Sequence, residues 1–339
     1  MANKKVMGQS VPNEEWLSLV HEEALEPALP IVDAHHHLWI RSGHRYLVPE
    51  FVEDMGSGHN IVATVYAECH SMYRQGGDEA LQSLGETEFV TGCAAMADSG
   101  VFGAWAFCKG MVGNVDLRLG EQSRAIFEQH IERSGGRFKG VRFTTAWDQH
   151  EAINNQVPNS GLLLEAEVIA AAKVMAELNL TLDVWVYHPQ LTDVARLAAM
   201  VPDLTIVLNH TGVPILGGPY AEQREQVFDD WLAGINSVAQ CDNVYLKLGA
   251  LPIRKRGDGK DRSVPPGSEE ICAAWSPWMH ACIDAFGVQR CIFESNFPVQ
   301  KLFSSYVVTW NAFKRLAQGC SQAEKAWLFH DAAVDAYRL

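Results

Sequence analysis

Short apolar runs recur along this chain, and most are followed by a segment whose apolar positions repeat with helical spacing. The first run is Leu29-Pro30-Ile31-Val32, leading into Asp33-Ala34-His35-His36-His37. Further runs at 60–70, 89–96, 138–143, 180–187, 204–210, 244–248 and 290–298 complete eight predicted strands. Helical spacing is clearest at 161–178, 192–200, 221–239 and 269–286. Strands that are nearly continuously apolar suit a parallel sheet buried on both faces. Strand and helix in alternation predict an α/β fold, a (β/α)8 TIM barrel. Residues 1–28 read as an N-terminal extension and 29–339 as one barrel domain. The polar Gly/Pro-containing loop at 252–268 follows the seventh strand, at the expected mouth, as a lid or a plain solvated loop.

Composition narrows the class. With 47% apolar and 20% charged residues in 339, the chain is an ordinary compact protein with a large core. A net charge of -14 argues against general nucleic-acid binding, which needs excess Lys and Arg. It leaves room for a small anionic substrate in a local cationic pocket. Eight cysteines without a CxxC pair read as buried free thiols in a reducing, cytoplasmic setting. The opening ten residues lack the apolar core of a secretory leader. No window approaches the ~18 apolar residues of a membrane span, so no membrane partner is expected. The N-terminal extension is a candidate subunit contact in a homo-oligomer.

In such barrels reactive groups come from the C-terminal ends of the strands. Those ends carry His35 and His37, Glu68 and His70, Arg142, Tyr187 and His188, His210, Lys247, and then Glu294 and Asn296. On a regular strand Asp33, His35 and His37 would share one face and His36 the other. Paired imidazoles there can grip a metal, polarise a carbonyl or pass protons. Arg142 suits a carboxylate clamp, or else an ion pair with Glu68. Lys247 fits the same clamp as a point charge, or neutralises Glu294. Tyr46, Pro49 and Trp147-Asp148 are expected at the mouth, and Trp185, Trp275 and Trp278 in the core.

Three segments together, 33–39 (Asp-Ala-His-His-His-Leu-Trp), 209–214 (Asn-His-Thr-Gly-Val-Pro) and 293–298 (Phe-Glu-Ser-Asn-Phe-Pro), resemble the amidohydrolase-related branch of the amidohydrolase superfamily. The likeness is to its lactonase-rich group, which includes 2-pyrone-4,6-dicarboxylate lactonase and sugar lactonases, and it runs from about residue 29 to the end. It implies a distorted barrel that hydrolyses a lactone, often of a carboxylated compound, often without a tightly held metal. One departure matters. Where that family ends the eighth strand with Asp, this chain has Asn296, with Glu294 in place of a common Gly. A neutral amide cannot take a proton from water and is a poor zinc ligand.

The expected enzyme is therefore a hydrolase that opens the lactone of a small carboxylated compound. His35, His37 and His210 polarise the carbonyl, and Glu294 activates water or is instead a structural carboxylate paired with His35, His37 or Lys247. Asn296 orients water or substrate, and Glu68, His70, Arg142, Tyr187, His188 and Lys247 bind it. No cofactor is expected to be required. The alternative is a divalent metal such as zinc on His35, His37 and His210, in a metal-dependent decarboxylase or hydrolase of the same superfamily. A third reading is a barrel that binds without catalysis, favoured only by Asn296.

Overall fold

The computed structural model describes residues 11–41, 43–251 and 262–339. Eight parallel strands form one sheet in chain order: β1 (Pro30–His36), β2 (Asn60–Ala67), β3 (Gly110–Gly113), β4 (Phe138–Thr144), β5 (Thr181–Trp185), β6 (Ile206–Leu208), β7 (Val244–Leu248) and β8 (Cys291–Phe293). Just past β8 the barrel closes on β1: the Asn296 N–H donates to the His35 carbonyl at 2.9 Å, and the His37 N–H to Phe297 at 2.8 Å. A barrel helix follows each strand, α1 (Val48–Met55), α2 (Leu84–Asp98), α3 (Arg124–Arg133), α4 (Ala166–Glu177), α5 (Leu191–Met200), α6 (Arg224–Ala239), α7 (Ser268–Phe286) and α8 (Tyr306–Leu316), and shorter helices come after α8. The fold is a (β/α)8 barrel.

One predicted strand is a helix. Residues 89–96 lie within α2, because their alanines and Cys93 supply a slim buried face with Val90, Cys93, Ala94 and Ala97 turned inward. The true third strand is the short Gly-Met-Val-Gly of β3, too brief and too glycine-rich to show as an apolar run. Neither glycine position takes a side chain without a neighbour shifting. A Cβ on Gly113 would come within 2.7 Å of the Phe138 ring, and one on Gly110 within 2.7 Å of Leu339.

Two apolar layers hold the barrel. Outside, the strands bury Ile31, Leu182, Leu208 and Phe293 against helices that contribute Trp231, Trp275 and Trp310, all at most 1% exposed. Inside, Val32, Ala34, Val65, Val112, Val207 and Ile292 pack on Ala332, Ala333, Ala336 and Tyr337 of the last helix, Ala332–Tyr337. The chain's end thus plugs the barrel from the side opposite the strand C-termini.

The stretch before β1 is held by side chains of the helices. Asn311 of α8 accepts from the Leu25 N–H at 2.8 Å, and the Lys314 ammonium donates to the Leu25 and Glu26 carbonyls. Residues 252–261, most of the predicted mouth loop with its Arg254-Lys255-Arg256, lie outside the described residues, as do 1–10. All eight cysteines are free thiols. Among the described residues no helix is long and apolar enough to cross a membrane. Trp275 and Trp278 are core, as expected, while Tyr46 is core too: its hydroxyl donates to Asp54 at 2.6 Å instead of lining the mouth.

Candidate active site

The β1 strand does not keep a simple alternation. Its register against β2 slips between Asp33 and His36, and that bulge turns Asp33 away from the histidines it was expected to join. Asp33 accepts from Tyr306 of α8 at 2.9 Å and from the Ser295 N–H at 3.0 Å; burial pushes its carboxyl up to about 6. His36 also faces the helix layer, stacked on Phe51 at 4.1 Å. His35 and His37 remain together inside, with their Nε2 atoms 3.2 Å apart.

Glu294 stands beneath this pair, fully buried. Its Oε1 lies 2.5 Å from His210 Nδ1, and its Oε2 lies 2.9 Å from His35 Nδ1, without the alignment of a good hydrogen bond. Burial alone would raise this carboxyl, but His210, Lys247 and Arg142 outweigh it and hold it below the usual range. Its place depends on Gly249 after β7, where a Cβ would come within 2.4 Å of Glu294 Cγ. Of the pairings foreseen for a structural carboxylate here, the one with His35 is present; the His210 pairing was not foreseen.

His210 reaches the cluster through a strained turn. Residues 210–213 all have positive φ, at 56°, 54°, 65° and 31°. Two of them, Thr211 and Val213, are β-branched, and such backbone costs about 1–3 kcal/mol per residue. Anchors hold the turn: the Trp231 indole N–H donates to the Thr211 carbonyl at 2.7 Å, and the His188 N–H to Val213 at 3.1 Å. Burial holds the His210 imidazole below its ordinary range while Glu294 draws it partly back. The Nε2 side of His210 faces Arg142 Nη2 at 3.4 Å.

Arg142 is held on three sides. Its Nε donates to Asn209 Oδ1 at 3.1 Å, its Nη1 lies 3.5 Å from Glu68 Oε1, and its guanidinium sits 5.5 Å from the Trp185 ring centre. The ion pair with Glu68 is therefore present. Burial works to raise the Glu68 carboxyl, but His70, Arg142 and Arg41 together hold it below the usual range. His70 contacts Glu68 at 3.2 Å from a largely exposed position on the rim. Asn296 adopts a left-handed backbone (φ 54°) and, among the described residues, its side-chain amide has no hydrogen bond.

Three of the predicted binding residues are engaged by other protein groups. Lys247 is fully buried below His35, 2.8 Å from Asp183 and 3.3 Å from His35 Nδ1, so it does not meet a substrate carboxylate at the mouth. A cation in the apolar interior needs a carboxylate partner, and Asp183 supplies it. Tyr187 donates to the Asn154 carbonyl at 2.8 Å in a wall with Trp185 and Ile215. His188 accepts from the Ile215 N–H at 3.3 Å and packs on Tyr220. Asp148 ties the same loops, accepting from Tyr220 at 2.7 Å.

Asp183, Asn209 and Tyr337 belong to the site's support and were not singled out from sequence. Asp183 offered a signal: a carboxylate inside an apolar strand must find donors. Tyr337, far away in sequence, offered none.

The protonation pattern bears on a metal. His37 Nδ1 faces the Ala67 carbonyl oxygen at 2.8 Å, which only accepts, so the His37 proton sits there and Nε2 is a lone pair. If Lys247 donates to His35 Nδ1, His35 carries its proton on Nε2, toward His37, and Glu294 Oε2 faces a lone pair. If His35 Nδ1 instead carries the proton toward Glu294, two Nε2 lone pairs meet at 3.2 Å. Sharing an extra proton is disfavoured, since burial holds both imidazoles well below their ordinary range. The second pattern is the one a divalent cation completes, with both back nitrogens tied to acceptors. His35, His210 and Glu294 also bring donor atoms within 4.8 Å of one another, the one such trio among the described residues. The donor set fits a metal ion.

The chain matches the amidohydrolase family profile over residues 32–339. It is 28% identical over 340 residues to the Sinorhizobium fredii protein y4mH, covering 92% of this chain and 99% of that one. It is 26% identical over 317 residues to L-fucono-1,5-lactonase of Burkholderia multivorans, covering 91% and 96%. A crystal structure of an amidohydrolase from Burkholderia multivorans with bound zinc is similar at a TM-score of 0.69 and 23% identity, covering 91% and 99%. On a match spanning nearly its whole length, this chain belongs to the amidohydrolase family.

Proposed function

We propose that this protein is a hydrolase that opens the lactone ring of a small compound. The observation that carries the reading is the Glu294–His210 contact with Arg142 beside it. Glu294 accepts the Nδ1 proton of His210 and so fixes the tautomer whose Nε2 is the basic nitrogen. That nitrogen takes the proton of the attacking water. Glu294 thus serves as base through His210, since it is itself closed off from solvent. As water adds to the lactone carbonyl, negative charge grows on oxygen, and the Arg142 guanidinium stabilises it in a site shielded from bulk water. His210 then returns the proton to the ring oxygen as the C–O bond breaks, giving the hydroxy acid.

Asn296, whose side-chain amide has no hydrogen bond among the described residues, orients the substrate's polar edge. Glu68 holds Arg142 in place. His35 and His37 are the residues that would hold a divalent metal through Nε2. Such an ion supplies Lewis-acid polarisation of the carbonyl when bound.

The relative that acts on L-fucono-1,5-lactone supports a lactone as substrate. The test is proton release from a panel containing L-fucono-1,5-lactone and 2-pyrone-4,6-dicarboxylate, read with a pH indicator. Turnover of at least one ring, lost in His210→Asn, supports the reading. Carbon dioxide release from carboxylated phenols, with every lactone inert, would replace it with the decarboxylase.

A further inference from the structure

Below the histidines lies a second buried polar layer, centred on Asp183 in β5. Its carboxylate is fully enclosed and has three donor groups. Tyr337 donates its hydroxyl to both oxygens, at 2.9 and 3.0 Å; Lys247 reaches Oδ2 at 2.8 Å, and Asn209 Nδ2 reaches it at 2.8 Å. From this one carboxylate two arms rise to the site. One runs through Lys247 to His35 Nδ1 at 3.3 Å. The other runs through Asn209: its NH2 is committed to Asp183, so its carbonyl oxygen must face Arg142 Nε at 3.1 Å. Arg142 then meets His210 Nε2 at 3.4 Å. The two arms end on the same two imidazoles that Glu294 joins.

The third donor comes from the far end of the chain. Tyr337 closes the last helix and lies among Val32, Val65, Val112 and Val207 inside the barrel. Its ring centre is 5.2 Å from the Lys247 ammonium. A hydroxyl in an apolar plug is costly to bury unless it is bonded, and here its partner is the carboxylate beneath the site.

We propose that Tyr337 is a positioning residue for catalysis: through Asp183 it fixes Lys247 under His35 and Arg142 against His210. The kinetic arm of the test rests on the lactonase reading; the spectroscopic arm does not. Tyr337→Phe keeps the ring, the plug and the contact with Lys247, and removes only the donor to Asp183. Loss of such an outer hydrogen bond lowers activity roughly 10-fold or more.

The control is Tyr245→Phe. Tyr245 bonds Asp335 on the exposed side of the same helix, so this variant loosens the helix without touching Asp183. In the full-length protein, kcat and KM for lactone opening are measured beside 15N spectra of the histidine rings. Tyr337→Phe is expected to lower kcat about tenfold with a smaller change in KM, and to move the His35 and His210 ring signals. Tyr245→Phe is expected to do neither. The proposal is overturned if Tyr337→Phe leaves the His35 and His210 signals in place, or if Tyr245→Phe reproduces its effects. A wild-type protein inert toward every lactone would defeat the lactonase reading alone, and the ring signals would still decide the role of Tyr337.

Discussion

His210 Nδ1 lies 2.5 Å from Glu294 Oε1, at the meeting of a strained turn after β6 and the end of β8. The contact joins a buried carboxylate to an imidazole that reaches the cation Arg142. In the proposed reaction it supplies the base, in a chain that carries Asn296 rather than an aspartate just past β8.

Glu294→Gln preserves size but cannot hold the Nδ1 proton of His210 with the same strength. We expect kcat for lactone opening to fall by roughly 10²–10³ while KM changes little. The acid limb of kcat/KM reports His210, which burial holds below the ordinary 6.5 while Glu294 draws it partly up. Removing the negative charge therefore moves that limb to lower pH. A limb that moves upward would assign it to another group.

Gly249→Ala tests the packing behind that carboxylate. The added methyl would sit 2.4 Å from Glu294 Cγ and 2.6 Å from the Glu294 carbonyl oxygen, so the strand end must shift. Overpacking of this kind costs about 1–3 kcal/mol of stability. Activity should fall further than the folded fraction does. A variant as active per folded molecule as the parent would show that Glu294 tolerates displacement.

Arg142→Lys retains charge but cannot contact Asn209, Glu68 and His210 together. Loss of one oxyanion donor costs roughly 10²–10³ in kcat. Stopped-flow or steady-state rates at saturating lactone would check this. A change confined to KM would make Arg142 a binding clamp only, as its sequence position first suggested.

On acidification the buried histidines should cost stability. Asp33 and Glu86 offset this in part, because burial raises their carboxyls to about 6 and about 7 and the folded chain takes up their protons first. Burial lowers His59, His130 and His188 to about 4 each, and His36 to about 3, from 6.5. Between those values and 6.5 the unfolded chain binds more protons at these histidines than the folded one. Their contribution to stability is therefore fully present above pH 6.5 and drains as pH falls through the window. His130, bonded to Thr87 at 2.7 Å and stacked on Phe138, is a member that lies away from the candidate site. A shift of that size is worth about 3 kcal/mol at most. Urea midpoints at pH 7 and pH 5 should therefore draw closer together in His130→Asn than in the parent, even though the variant starts less stable.

Much of the architecture was legible because parallel strands are apolar on both faces and their ends carry the reactive groups. β7 matches its predicted span, and His35, His37, His210, Glu294 and Arg142 converge as their strand-end positions implied. What sequence could not show were departures from regular geometry. The bulge in β1 withdrew Asp33, the brevity of β3 hid it, and the left-handed turn at 210–213 is invisible to periodicity. Lys247 reads as a mouth residue until its depth is known, and depth depends on Asp183, which nothing local links to it. Tyr337 is the extreme case, since its partner is 154 residues away.

The most direct test of the central claim is proton release from L-fucono-1,5-lactone and 2-pyrone-4,6-dicarboxylate, comparing the parent protein with Glu294→Gln and His210→Asn at equal folded concentration. Metal content is measured in the same preparations. The account predicts ring opening by the parent and a loss of kcat in both variants of similar size, because the two residues act as one unit. Parent-like turnover in either variant would contradict it.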